Sequence, residues 1–498
     1  MLSRRCATEI HVPIDGRGDR AERVYRHLRD AVLDGRLRRG ERLPATRELA
    51  ARLGVSRSTV STAYERLTAE GYLAARVGSG TFVALPAGIA APASGASVSG
   101  ASVSRAPASR IAAGTALPAP RWRGLDDPLW SEPRPIAYDF SVGSPDPALF
   151  PHDAWRRSVA AALRGPALRR AHYADPSGLE RLRVGIARHV GLARSVATMA
   201  DEVVVTSGAQ QAFDLLGRTL VQPGDTVAVE DPGYPPVRQL LELLGARVVP
   251  VPVDEHGLRV DLLPAARLVY VTPSHQFPLG GVLSLQRRTA LLDWARAHDA
   301  VVIEDDYDSE FRFGARALDP VQRLDGDGRV VYVGTFSKSM LPGLRLGFIV
   351  APPSLVPALR SAKRLTDWHN DVVTQTAMAS LLDSGAFAAH VRRASRVYEE
   401  RHALIGREAA ALLAGRLEAV PSVAGLHLAL TPGAGVPFDS VRVAEAAAVA
   451  GVAVQPIPRF AVTAGSEGLL LGFGAIAAED IPDGMRLLAE AVGRTHPG

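Results

Sequence analysis

Short apolar runs rich in β-branched residues alternate with longer amphipathic segments through the middle of the sequence. The runs are Val203–Val205, Val227–Val229, Leu268–Val271, Val301–Ile303 and Val330–Val333, and the amphipathic segments include Gln210–Leu220 and Pro236–Leu244. Strands that are apolar on both sides need cover on both sides, which is typical of a mostly parallel sheet flanked by helices. The pattern predicts an α/β fold, and ligands in such folds bind at the carboxyl ends of the strands.

Polar residues follow the first of these runs. Ser207, Gly208 and Ala209 stand where the run gives way to an amphipathic segment. Small residues at the start of a helix allow backbone N–H groups to reach a phosphate, although an ordinary capped helix fits the same residues.

A second polar cluster follows the fourth run, where Glu304, Asp305 and Asp306 precede Tyr307. Surface acids or partners of a cofactor explain these residues better than a metal site, because no His or further carboxylate stands at ligand spacing. We therefore expect no metal site.

The third cluster contains Lys338, which follows Ser337 after the last apolar run. Lys338 and Lys363 are the two lysines of a chain with 57 Lys plus Arg. A lysine can lose its proton at accessible pH and attack a carbonyl, whereas an arginine cannot. Chance is the alternative, since Lys363 has no comparable context.

Together the clusters meet the needs of pyridoxal 5'-phosphate (PLP). That cofactor requires an amine for its aldehyde, a carboxylate for its ring nitrogen, a donor for its phenolic oxygen, an aromatic face and a phosphate cradle. The candidates are Lys338, Asp305, Tyr307, Tyr234, Ser207, Gly208, Ala209, Ser337 and Arg345.

The N-terminal part of the sequence carries the basic excess, with 16 Arg against 10 Asp plus Glu over Met1–Leu85. Helical spacing over Arg20–Leu33 is followed by two shorter helical patterns, one with Thr46 as its expected cap and one with Ser56. Gly54 supplies the turn between them. Two short helices joined in this way form a helix-turn-helix. A strand pair that turns at Gly78-Ser79-Gly80 adds a wing.

This module is expected to bind DNA. Hydroxyls at a helix start hold phosphates, and arginine is a good reader of guanine. The alternative is a three-helix unit with a charged solvated face. The expected contacts are Arg47, Ser56, Arg57, Ser58 and Thr59.

Between the two modules the composition becomes Ala, Ser, Gly and Pro, and GASVS occurs twice in succession. Such a stretch has little apolar surface to offset its ordering entropy. We therefore expect a DNA-binding domain over residues 15–85, a disordered linker over 86–133 and an effector domain over 134–498.

The motifs of both modules resemble known families. RLPATRELAARLGVSRSTVSTAYERLTAEGYL and GSGTFV resemble the winged helix-turn-helix of the GntR family. HYADPSG, TSGAQQA, EDPGYPP, IEDDYDSEFR and GTFSKSMLPGLRLGF resemble a fold-type I aminotransferase. The order of the modules is similar to that of the MocR/GabR subfamily of GntR regulators. The resemblance implies a multidomain chain with a C-terminal α/β PLP-dependent transferase fold.

The resemblance also implies roles for individual residues. In the N-terminal module it implies that Arg47, Ser56, Arg57, Ser58 and Gly78 contact DNA. Lys338 would form the Schiff base with PLP, Asp305 would pair with the ring nitrogen and Tyr307 would bond the phenolic oxygen. Tyr234 would cover the ring. Arg345 and the turn of Ser207, Gly208 and Ala209 would hold the phosphate. Tyr173 resembles the tyrosine that reaches the neighbouring subunit's phosphate, which implies a homodimer.

Three positions depart from the aminotransferase pattern. Asn before Pro-x-Gly is replaced in HQFPLG, so its polar role passes to His275, to Gln276 or to neither. The run Gly468–Phe473 lacks the expected arginine for a substrate carboxylate, and Arg459 is the nearest substitute. Pro236 stands where a GABA-responsive relative has a ligand-binding arginine, which disfavours GABA.

These departures weaken substrate positioning more than attachment of the cofactor. We expect a PLP-dependent transcription regulator that senses PLP, or a small amine or amino-acid ligand, through an aldimine at Lys338. The expected target is a double-stranded DNA operator with paired half-sites. The alternatives are an active aminotransferase with a fused autoregulatory DNA-binding domain and a scaffold that never binds PLP. We expect at most residual transaminase activity.

The expected compartment is the cytoplasm. The single cysteine, Cys6, cannot form an intramolecular disulfide, and no apolar run approaches the ~20 residues that span a bilayer. No membrane association is expected.

Overall fold

The computed structural model describes residues 19–76, 78–84, 117–123, 125, 136–165, 172–313, 319–422, 424–433 and 435–495. They belong to two compact units, which divide between Leu117 and Pro118. Most of the expected linker, residues 86–133, lies outside the described residues. The domain limits given above stay predictions.

The smaller unit is a winged helix-turn-helix, as predicted. Its helices are α1 (Arg20–Leu33), α2 (Thr46–Leu53) and α3 (Arg57–Ala69), and its antiparallel wing strands are β1 (Leu73–Arg76) and β2 (Gly80–Val83). The three helices enclose one apolar core whose members include the fully buried Val24, Leu28, Leu49, Val60 and Leu67.

The local geometry of the turn is partly as predicted. Gly54 has φ 62° and ends α2 in the left-handed conformation, which glycine adopts easily. Ser56 caps α3, because its Oγ accepts the N–H of Thr59 at 3.1 Å. The expected cap at Thr46 is wrong. Thr46 is itself the first helical residue, and Ala45 precedes it without a side-chain capping bond.

The larger unit is built on an eight-stranded sheet in the order β4-β11-β10-β9-β8-β5-β6-β7. The strands are β4 (Val203–Thr206), β5 (Thr226–Asp231), β6 (Arg247–Asp254), β7 (Gly257–Leu258), β8 (Leu268–Val271), β9 (Val301–Asp306), β10 (Val330–Thr335) and β11 (Gly347–Val350). Five neighbouring strands, β10, β9, β8, β5 and β6, pair in parallel. In contrast, β11 is antiparallel to its neighbours β10 and β4, and β7 is antiparallel to β6.

Both faces of this sheet are covered by helices, which is why its strands are apolar on both sides. Val204 packs in one apolar cluster with residues of α6, whereas Val203 and Val205 pack in another with residues of α5. The helices of this unit are α4 (His152–Arg164), α5 (Glu180–Arg194), α6 (Ala209–Leu220), α7 (Pro235–Leu243), α8 (Leu285–Ala297), α9 (Val321–Leu324), α10 (Val356–Thr366), α11 (Val372–Asp383), α12 (Ala386–Leu412), α13 (Ser440–Val449) and α14 (Ile481–Thr495).

A second, antiparallel sheet in the order β12-β13-β16-β15 lies in the same unit and was not anticipated from the sequence. Its strands are β12 (Leu417–Ala419), β13 (His427–Pro432), β15 (Gln455–Pro456) and β16 (Leu469–Gly472). Two further short strands, β3 (Tyr138–Asp139) and β14 (Val452–Ala453), pair in parallel. In the part of the chain that the structure describes, no helix is long and apolar enough to cross a membrane.

Candidate functional site

A cavity of about 290 Å³ opens at the carboxyl ends of the parallel strands. Tyr270 of β8, Asp305 of β9 and Thr335 of β10 all line it. Lys338, which follows β10, also lines it. Residues that are far apart in the sequence therefore meet at the edge where α/β folds bind their ligands.

Lys338 is half-buried in this cavity and donates through Nζ to the backbone carbonyl of Gly143 at 2.6 Å. Burial lowers the pKa of Lys338 below its ordinary value, while the nearby Asp308 and Asp305 oppose that change. A lysine with a lowered pKa has a larger fraction of free amine, which is the nucleophilic form.

The three successive acids at the end of β9 lie in three different environments. Glu304 accepts the backbone N–H groups of Val321 and Gln322 at 3.0 and 2.8 Å. Asp306 forms a buried ion pair with Arg194. Asp305 alone of the three lines the cavity. Successive side chains of a strand point to opposite faces, which separates Asp305 from Glu304 and Asp306.

Asp305 keeps one oxygen available for a ligand. Its Oδ2 accepts the hydroxyl of Tyr270 at 2.7 Å, whereas its Oδ1 is buried and has no hydrogen-bond partner among the described residues. Burial raises the pKa of Asp305 to about 7. A buried oxygen without a partner is costly unless a donor reaches it. The protonated ring nitrogen of PLP is a donor of the required kind.

Tyr307 also lines the cavity, and His275 holds it in place. The Tyr307 hydroxyl donates to the His275 carbonyl at 3.0 Å and lies 3.1 Å from Nδ1 of the same residue. The Nδ1 atom also lies 3.0 Å from Asp308. His275 therefore contacts the site through Tyr307 and is not among the lining residues.

The neighbouring residue Gln276 points elsewhere, because its amide donates to the carbonyl of Pro232 at 2.9 Å. Phe277, which follows it, lines the cavity instead. His275 and Gln276 were the two polar residues predicted for the role of the missing Asn, and neither lines the cavity in the described structure.

The start of α6 and Arg345 form a concave polar corner. Arg345 donates to the carbonyl of Ser207 at 2.6 Å, and Asn370 donates to the Ser207 hydroxyl at 2.7 Å. Gly208 has φ 80°, and a Cβ there would lie 3.1 Å from the Arg345 guanidinium. The positive φ favours glycine at this position, and the helix start leaves backbone N–H groups for an anion. A phosphate fits this corner.

The other predicted cofactor contacts are placed as follows. Tyr234 and Ser337 line the cavity, and the Ser337 hydroxyl accepts from Thr335 at 3.0 Å. Tyr173 does not line it: the residue is 72% exposed, and its ring stacks on Trp368 with 4.4 Å between centroids. Arg459 lies in the short turn Ile457–Phe460 and is not among the lining residues.

Sequence reasoning missed several residues of the site. Gly143, Asn370 and Gln455 are remote in the sequence, and no local pattern marked them. His427 was also missed. It lines the cavity, and burial together with His275 holds its pKa well below the ordinary value, so its ring is neutral near pH 7.

One group of side chains has the composition of a metal site. Ligand atoms of His275, Asp308 and His427 lie within 4.8 Å of one another. Protein groups already surround them, since His275 Nε2 lies 3.2 Å from the Ser422 hydroxyl and His427 Nε2 lies 3.1 Å from the Pro278 carbonyl.

The predicted DNA contacts form an exposed surface of the smaller unit. Arg47, Ser56, Arg57, Ser58 and Gly78 are exposed, and Thr59 is half-buried behind the cap.

Within the described residues, Arg47 and Arg57 form no ion pair, whereas Arg52 pairs with Glu48 and Arg66 pairs with Glu22 and Glu70. An unpaired arginine beside a helix start is free to contact a phosphate or a base.

Two family models match the chain. Residues 139–466 match aminotransferase class I and II, and residues 20–83 match the bacterial regulatory proteins of the gntR family. The probable rhizopine catabolism regulatory protein MocR of Rhizobium meliloti is 36% identical over 94% of this chain and 92% of its own length. The pyridoxine biosynthesis transcriptional regulator PdxR of Corynebacterium glutamicum is 34% identical over 90% of each chain.

Solved structures also indicate an aminotransferase fold for the larger unit. A kynurenine aminotransferase of Pyrococcus horikoshii superimposes with a TM-score of 0.68 at 27% identity, over 73% of this chain and 92% of that one. The fold and the cavity thus define a fold-type I aminotransferase domain, which indicates PLP dependence. With its GntR winged helix, the chain belongs to the MocR/GabR subfamily of transcription regulators.

Proposed function

We propose that this regulator binds PLP at Lys338 and that the state of the cavity controls its binding to DNA. The observation that carries the proposal is the pair formed by Lys338, with its lowered pKa, and Asp305, whose buried Oδ1 has no hydrogen-bond partner among the described residues. The cofactor would supply an aldehyde that exchanges between Lys338 and the amine of a ligand.

Other residues of this chain would orient the cofactor. Tyr307 would turn its single O–H from the His275 carbonyl to the phenolic oxygen of the cofactor, and Tyr234 would cover the ring. The phosphate would lie in the polar corner, against the residues Ser207, Gly208, Ala209, Ser337 and Arg345.

The effector would be PLP itself or a small amine or amino-acid ligand. The names of the relatives connect MocR with rhizopine catabolism and PdxR with pyridoxine biosynthesis. A ligand shifts the regulator only by its differential affinity for the two states. We further propose a cytoplasmic homodimer in which Tyr173 reaches the partner's phosphate and two winged helices bind paired half-sites.

Cofactor attachment is tested by borohydride reduction of the purified full chain followed by peptide mapping. We expect visible absorbance that disappears on reduction and a phosphopyridoxyl group on Lys338. A Lys338→Ala protein should lose both. A Lys338→Ala protein that retains the trapped group would overturn the assignment.

Regulation is tested by gel shift on the DNA upstream of the regulator's own and neighbouring genes, with wild-type and Lys338→Ala proteins. We expect PLP to change the affinity of the wild type alone. Amino-acid panels with a keto-acid acceptor test the enzymatic alternative. Sustained turnover there would replace the proposal with an active aminotransferase.

A further inference from the structure

Few cationic side chains line the cavity, and the two that do already have other partners. Among the described lining residues the lysine and arginine side chains are Lys338 and Arg345. Lys338 is assigned to the aldehyde. Arg345 is held on the Ser207 carbonyl in the phosphate corner. His427 is neutral near pH 7, because burial lowers its pKa. No cationic group of this lining remains for a ligand carboxylate.

An apolar wall stands on the side of the smaller sheet. Leu470 of β16 is fully buried in a cluster with Ala429, Ile457 and Phe460, and partly buried residues that include Val142 and Phe277 pack against it. Val142 and Phe277 also line the cavity. An unpaired carboxylate placed against such a wall loses its hydration without compensation.

One polar group interrupts this wall. Gln455 of β15 lies directly opposite Leu470 in the antiparallel ladder, so the two side chains share one face of the sheet. Gln455 lines the cavity, and its Oε1 is buried without a hydrogen-bond partner among the described residues. An amide oxygen in this state requires a donor, and a ligand carboxylate has none to offer at neutral pH.

We propose that the ligand exchanging with Lys338 is an amino alcohol: a primary amine that carries a hydroxyl and no carboxylate. The hydroxyl donates to Gln455 Oε1, and the carbon chain packs against Val142 and Phe277. This inference rests on the proposed function. In the exchange the C=N bond to Lys338 breaks as a C=N bond to the ligand nitrogen forms, the three hydrogens of the incoming ammonium end on the released Lys338 nitrogen as an ammonium, and no oxidant or reductant is consumed.

The test uses two stable probes that do not depend on the chemistry of Lys338. PLP is reductively coupled to 3-amino-1-propanol and to 3-aminopropanoate, which have the same chain length and differ in the hydroxyl and the carboxylate. Each adduct is titrated into the cofactor-free full chain by calorimetry. We expect the alcohol adduct to bind at least tenfold more tightly.

Variants at the paired positions sharpen the comparison. Gln455→Met is nearly isosteric and removes the acceptor, so it should weaken the alcohol adduct about tenfold and leave the acid adduct unchanged. Leu470→Arg places a guanidinium beside position 455 and should reverse the preference, whereas Leu470→Met should keep it. If Leu470→Arg does not fold, Gln455→Met decides alone.

The outcomes separate the two proposals. Equal affinities, or a tighter acid adduct, would overturn the amino alcohol while leaving PLP binding intact. An alcohol preference that survives in Gln455→Met would overturn the role of Gln455. Failure of both adducts and of free PLP to bind would instead refute the proposed function itself.

Discussion

The ammonium of Lys363 lies 2.5 Å from a carboxylate oxygen of Asp367, and the lysine side chain is completely buried. The other oxygen of Asp367 accepts the amide of Gln211 at 2.7 Å, and the oxygen of that amide accepts the N–H of Ser207 at 2.8 Å. No role for Lys363 follows from its sequence context, yet this chain of contacts leads to the phosphate corner. Both lysines of the protein are thus connected to the cavity.

Replacement of Lys363 is predicted to weaken cofactor binding. In Lys363→Met, Asp367 loses a charge-assisted partner and Gln211 is no longer fixed, so PLP should dissociate about tenfold more readily. Equilibrium dialysis measures the change. Arg364→Met, at the neighbouring position, serves as the control and should retain wild-type affinity. An unchanged dissociation constant in Lys363→Met would show that the contacts do not position Ser207.

The rate of PLP attachment is predicted to depend on the protonation of Lys338. Only the free amine reacts, so the rate should rise with pH and level off below 10.5, the ordinary pKa of lysine, because burial lowers the pKa of Lys338. Asp308 raises that pKa, so Asp308→Asn should move the plateau to lower pH. Stopped-flow absorbance records both profiles.

The control for this experiment is Asp299→Asn, which changes an exposed acid that pairs with Arg329 away from the cavity. Its profile should match that of the wild type. A plateau that does not move in Asp308→Asn would contradict the assigned influence of Asp308 on Lys338.

DNA binding is predicted to depend on Arg47 and Arg57, which form no ion pair within the described part of the chain. Arg47→Ala and Arg57→Ala should each weaken operator binding, and a lost phosphate contact should reduce the salt slope of the affinity by about 1. Arg52→Ala removes the same charge from α2 but from a side chain already paired with Glu48. Titrations at several salt concentrations compare the three. Equal losses would indicate a general charge effect.

The buried ion pair of Arg194 and Asp306 is predicted to stabilise the larger unit. Arg194 Nε lies 2.8 Å from Asp306, and Tyr332 donates to the same carboxylate at 2.6 Å. Arg194→Met leaves the buried carboxylate without its cation and should lower the free energy of unfolding by about 3–5 kcal/mol. Urea denaturation followed by the absorbance of bound PLP measures it.

A matched variant lies on the same helix. Arg181→Met removes an exposed partner of Asp383, and such a pair contributes at most about 1 kcal/mol. Similar losses for the two variants would mean that the burial of Arg194 adds nothing.

Local patterns were sufficient to predict β4, β5, β8, β9 and β10 of the large sheet and the helices α1 and α3, whereas β6 and β7 were not predicted. The rule that ligands bind at strand ends also predicted that Lys338, Asp305 and Tyr307 line one cavity. The smaller sheet was missed in part because β12 and β15 are only three and two residues long, too short for a period to show.

The remaining contacts of the site depend on tertiary packing. Gln455 reaches the cavity only because β15 pairs with β16, and Asn370 reaches Ser207 across 163 positions of sequence. The prediction that Thr46 caps α2 was wrong because Thr46 itself has helical geometry, whereas a capping residue precedes the helix.

The bond between Lys338 and the Gly143 carbonyl couples the chemistry of the lysine to a particular piece of backbone. A lysine ammonium offers three protons, and an amine that has condensed with an aldehyde offers at most one. The Gly143 carbonyl would then have fewer donor protons available to it. Gly143 lies just after β3, in the segment that leads to α4. Attachment of the cofactor to Lys338 would thus alter the hydrogen bonding of the backbone between β3 and α4.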